Sequence, residues 1–121
     1  MPPNLKTAFC ISFEQMKEGW YGITNPEIGI GFGMKWDVKI FKYLWMWAVY
    51  RGYYNFPFYG RTYNIALEPW SAIPDNLDDV IKLGRELELQ PGKKLDTKFS
   101  AIVYQAESGI KGFSENNEAV L

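Results

Sequence analysis

Histidine is absent from the chain. That removes the commonest general acid/base near neutral pH and the commonest metal ligand together. Cysteine occurs once, as Cys10, so no disulfide can close within the chain. With one cysteine and no histidine, zinc and copper sites of the usual kind are excluded. So is any Ser-His-Asp or Cys-His nucleophile arrangement. Chemistry here falls to carboxylates, tyrosines, lysines or arginines, and no cofactor or metal is expected.

Charge of one sign is also lacking. Thirteen basic and fourteen acidic residues are scattered along the sequence and leave a formal net charge of −1. Without a basic stripe there is no footprint for nucleic acid or for an anionic membrane. The most apolar run, Tyr43 to Tyr50, is far too short to cross a bilayer as a helix. Met1 to Lys6 carry no basic segment followed by a long apolar stretch, so a cytoplasmic location is the expectation.

What the chain has in excess is aromatics. Eight Phe, eight Tyr and five Trp make 17% of its 121 residues, clustered between Trp36 and Trp70. Aromatics favour strands, and exposed ones suit a saccharide cleft. The length fits one domain, 1–121.

Period-2 alternation dominates. Phe9, Ile11 and Phe13 suggest a short strand, Trp20 to Thr24 a second, and IGIGFGMKW over 28–36 a third. YLWMWAVY (43–50) is a strong strand, and an aromatic loop from Arg51 to Gly60 follows it. YNIALEPW (63–70) places Tyr63, Ile65, Leu67 and Pro69 on one face and Asn64, Ala66, Glu68 and Trp70 on the other. One short helix is expected near 76–83, capped by Asp75 or Asn76 and ended by Gly84. Glu86 to Leu89 and Lys94 to Gln105 read as a hairpin joined at Gln90-Pro91-Gly92-Lys93, and 113–121 as a frayed tail. Gly29, Gly31 and Gly33 mimic a dinucleotide fingerprint, but no helix follows them, so they mark bulges or close backbone contacts. The class is all-β, an antiparallel β-sandwich.

Three segments, YLWMW (43–47), YGRTYNIALEPWSAIPDNL (59–77) and LELQPGKKLDTKFSAIVY (87–104), together resemble the C-terminal part of the aldose 1-epimerase (galactose mutarotase-like) family. The likeness rests on a strand glutamate followed by a Pro-Asp pair, here Glu68 and Pro74-Asp75. It rests also on an L-x-PG-x-x-L pattern at Leu89 to Leu95, and in all it covers roughly 20–105. The resemblance implies part of a larger two-layered sandwich, a small-molecule sugar as ligand, and Glu68 at the position of the family's catalytic base. The family's acid is a histidine from an earlier part of its fold, and this chain has none. The expected function is therefore carbohydrate binding without full mutarotase activity. The alternative is an active epimerase that pairs Glu68 with a non-histidine acid such as Tyr63 or Asp37, or with a partner chain.

Residue by residue, two readings stand. Glu68 lines a sugar site or is a strand glutamate facing solvent. Trp70, on the Glu68 side of the strand, is the best sugar platform, whereas Trp45 and Trp47 read as core or interface. Arg61 can fork to sugar hydroxyls or stay a surface arginine, and Asp37 can bind a hydroxyl or cap a turn. Because only the later strands of the family's sandwich are present, an unpaired edge and an uncovered apolar face are expected. A homodimer, or an N-terminal part supplied by another chain, would satisfy them.

Overall fold

The computed structural model describes residues 5–121. Its described elements are β1 (Thr7–Phe13), β2 (Trp20–Asn25), β3 (Ile30–Lys35), β4 (Tyr43–Tyr50), β5 (Tyr63–Trp70), α1 (Leu77–Lys82), β6 (Ser100–Gln105), β7 (Gly112–Phe113) and β8 (Ala119–Val120). The protein is all-β. One sheet has the order β1-β4-β5, a second β2-β3-β6, and β7 and β8 form a small hairpin; every pairing is antiparallel.

In the first sheet β4 is central, and its aromatic and β-branched residues suit a position flanked on both edges. Its register sets Leu44, Met46, Ala48 and Tyr50 in rows with Phe13, Ile11, Phe9 and Thr7 of β1 and with Pro69, Leu67, Ile65 and Tyr63 of β5. Tyr43, Trp45, Trp47 and Val49 take the opposite face. Ala48 and Val49, adjacent in sequence and pointing to opposite faces, are both fully buried.

The second sheet has two unlike faces. On one, Gly22, Gly31 and Gly33 leave room for rings. A Cβ at Gly31 would run into the Tyr104 ring, and one at Gly33 into Phe113. Tyr104 reaches across to Thr24, hydroxyl to hydroxyl, at 3.0 Å, and Phe113 meets both Trp20 and Tyr104 edge-on. The close-contact reading of these glycines therefore holds at Gly31 and Gly33. Gly29 instead sits at φ +67° in the turn before β3. The other face, bearing Ile23, Ile30, Phe32 and Val103, is exposed.

Two expectations are corrected. Residues 86–99 form no hairpin: the turn is made, with the Lys93 N–H donating to the Gln90 carbonyl at 3.0 Å, but its arms do not pair. Only Ser100–Gln105 is a strand, and it pairs with β3. An isolated two-stranded hairpin is marginal, and no third strand or helix supports this one. The tail is not frayed throughout. β7 pairs with β8, and the Ser114 N–H donates to the Glu118 carbonyl at 2.9 Å, because Phe113 has a ring-lined place on the second sheet.

The chain exposes 8861 Å², whereas a compact monomer of its mass exposes roughly 6,700 Å². Its apolar faces are incompletely covered from within. Gly31→Ala forces a methyl into Tyr104 and is expected to cost about 1–3 kcal/mol, with a fall of several degrees in Tm. Gly109, whose added methyl meets nothing within 4 Å, is the control, and Gly109→Ala should melt with the wild type. Equal Tm for the two variants would refute the Tyr104 packing.

Candidate functional site

Alternation along β5 carries Glu68 and Trp70 to the same side, over Trp45 of β4. The Trp70 Nε1–H donates to Glu68 Oε2 at 3.2 Å. The Trp45 and Trp70 rings stack with centroids 5.0 Å apart and planes 19° from parallel. Trp70 is thus held at its edge by a carboxylate and on one face by an indole, which leaves its second ring face for other contacts. Glu68 is half-buried.

After β5 the chain turns back over this face. Ile73 is buried, and with Pro74 it helps wall a cleft of about 390 Å³ that also touches Cys10, Ser12, Trp45 and Arg85. Pro74 also borders a second pocket, of about 230 Å³, lined by Trp70, Ser71, Asp75 and Glu86. The helix that follows holds this arrangement. Asn76 takes the N-cap, its Oδ1 accepting from the Asp78 N–H at 2.9 Å, so Asp75 is released from capping. At the other end, Arg85 N–H donates to Val80 O and Gly84 N–H to Ile81 O, both at 3.0 Å, with Gly84 at φ +62°. This Schellman closure turns the chain so that Arg85 reaches the cleft and lies 3.6 Å from Glu14. The pair is exposed and adds little stability.

The side chains around the cleft leave an electrostatic mark. Partial burial, then the negative charges of Glu68 and Asp75, hold the Cys10 thiol above its ordinary range. One donor in this region is unmet: Trp45 Nε1 is buried without a partner.

The remaining sequence candidates are not gathered here. Tyr63 lies on the opposite face of β5, against Tyr50 and beneath the Arg51 guanidinium, 5.7 Å from the ring centroid. It also stands five residues from Glu68, roughly 17 Å along an extended strand. Arg61 precedes that same far end of β5 and is exposed, a surface arginine away from Glu68 and Trp70. Asp37 caps its own turn, its Oδ1 accepting from the Lys39 N–H at 2.9 Å and its carbonyl from Ile40 and Phe41. Trp47 packs against Tyr53 and Phe58 of the aromatic loop and is half-buried.

Sequence reasoning missed Ser71, Glu86 and Arg85 altogether, and weighed Asp75 only as a helix cap and as part of the Pro74-Asp75 pair. The one available signal was the Pro74-Asp75 pair; Glu86 reaches the pocket only through the turn after α1. Among the described residues no cluster of three or more metal-ligating side chains exists, and no helix is long and apolar enough to cross a membrane. No protein-family model, curated protein or solved structure matches this chain.

Removing a negative neighbour favours the Cys10 thiolate. Glu68→Gln should therefore speed iodoacetamide alkylation of Cys10 at fixed mildly alkaline pH, and Asp75→Asn should do so to a smaller degree. An unchanged rate in Glu68→Gln would place the carboxylate out of reach of the thiol.

Proposed function

We propose that the chain binds a small sugar in the Trp70 pocket, as a carbohydrate-binding piece of a β-sandwich similar to the C-terminal part of an aldose 1-epimerase. The observation that supports the reading is the combination in one pocket of a fixed indole with two carboxylates and a hydroxyl: Trp70, Asp75, Glu86 and Ser71. A sugar ring offers an apolar C–H face to an aromatic and a rim of hydroxyls to acceptors. Trp70 serves the first, and Asp75 and Glu86 accept from the second. Asp75 has no hydrogen bond or ion pair to another described residue, so its carboxylate is available.

Binding without turnover is the form of this proposal. Acid/base opening of a sugar ring needs a proton donor across from the base. Glu68 lies outside the pocket lining and accepts from Trp70, so its part is to hold the indole. Tyr63 faces away from it, and Asp37 is engaged in its own turn.

Titration with millimolar aldoses should quench tryptophan fluorescence saturably. Trp70→Ala should abolish the response. Asp75→Asn should weaken binding about 10- to 100-fold, the worth of one hydrogen bond to a charged group. Optical rotation of freshly dissolved aldoses should decay at the uncatalysed rate. A flat fluorescence titration with every aldose would overturn the reading, and rapid decay of rotation would overturn its non-catalytic form.

A further inference from the structure

The second sheet buries one face under its own chain and leaves most of the other bare. Its bare face is three rows of three strand positions: Tyr21, Met34 and Ala101; Ile23, Phe32 and Val103; Asn25, Ile30 and Gln105. None is charged. Phe32 stands at the centre, 44% exposed, between Ile23 at 47% and Val103 at 74%, with Ile30 at 46% next along β3. These four residues together present on the order of 400 Å² of surface, the size of the largest patch on a typical monomer and usually a contact site.

The rest of the chain covers it only at the Tyr21 and Met34 end, where the Tyr21 ring meets the buried Trp36. Ile110 and Phe113, from the segment after β6, pack on the opposite face, where they approach Gly22 and Gly33. The 86–99 segment, which contains Leu87, Leu89, Leu95 and Phe99, is itself exposed. The molecule as a whole exposes roughly 2,000 Å² more than a compact chain of its mass.

We propose that this face packs against the same face of a second copy of the chain, so that two three-stranded sheets close one sandwich around a two-fold axis near Phe32. Three features select a copy over a different partner. Superposing an uncharged face on itself sets no like charges opposite one another. With the exposed Asn25, Ala101 and Gln105 of the same face included, doubling the patch buries roughly 1,000 Å², the lower bound of a specific interface. The net charge of −1 opposes association of identical chains very little. Twisted sheets stack face to face about 10 Å apart at roughly 30°, a spacing that sets the two Phe32 rings against one another at the axis, flanked by Ile23 and Val103 of each copy. The interface is independent of the Trp70 pocket, which lies on the first sheet, and does not rest on sugar binding.

Light scattering on the full chain at tens of micromolar should return twice the 14.0 kDa of one copy. Phe32→Asp buries an unpaired charge at the centre of the interface, and its mass should halve. Val103→Lys should halve it as well; that side chain is so exposed in the single chain that folding is not at stake, and circular dichroism should show unchanged strand content. Ile11→Asp places the same kind of charge on the first sheet and should leave the dimer intact. A monomeric wild type would overturn the proposal. So would an oligomer that survives both Phe32→Asp and Val103→Lys, or one that only Ile11→Asp dissociates.

Discussion

Strand β4 is hydrogen-bonded along both edges, to β1 over its Leu44 to Tyr50 stretch and to β5 over its whole length. With both partners in place its alternation cannot slip, because a shift of one residue would turn every side chain to the wrong face. Ala48 and Val49 show how tightly this is held, each wholly buried on its own side. The same register sets Trp45 opposite Glu68 and Tyr43 opposite Trp70, which brings the Trp45 indole under that of Trp70 and the Glu68 carboxylate against the Trp70 N–H. The geometry of the pocket thus descends from the pairing of one strand.

Covering material is the second constraint. Two three-stranded sheets have four faces, and the connections are short. The aromatic loop after β4 covers Trp47, the 71–85 segment folds over Trp45, and the segment after β6 covers the glycine-lined face of the second sheet. On that face the glycines give up their own side chains so that Tyr104 and Phe113 can lie close to the backbone, a substitution of two large rings for several small contacts. Nothing comparable remains for the Phe32 face. The exposed area of the chain expresses this shortage as a number, and burial of such a surface is the dominant favourable force in association.

Much of the first sheet is legible in one dimension. The period-2 runs at 43–50 and 63–70 are strands because alternation is a local property, and the same count puts Glu68 beside Trp70 and Tyr63 away from both. The helix is legible for a similar reason: Asn76 and Gly84 are start and stop signals that act through backbone groups within a few residues. The 86–105 stretch has the same alternation and turn chemistry, yet only its last six residues pair as a strand. Alternation states which residues share a face, but pairing needs a neighbour. β6 finds its neighbour in β3, some seventy residues earlier, whereas 86–89 finds none.

The sequence by itself determined an all-β chain without histidine chemistry, the strand positions in the first sheet and the shared direction of Glu68 and Trp70, because composition and two-residue periodicity suffice for these. Only the tertiary structure decided that Asp75 and Glu86 meet Trp70, that Arg61, Asp37 and Tyr63 do not join them, and that Phe32 stands bare. Those outcomes depend on how the connections pass over each sheet and on how much chain is left to cover its faces, and neither quantity is written in any local pattern.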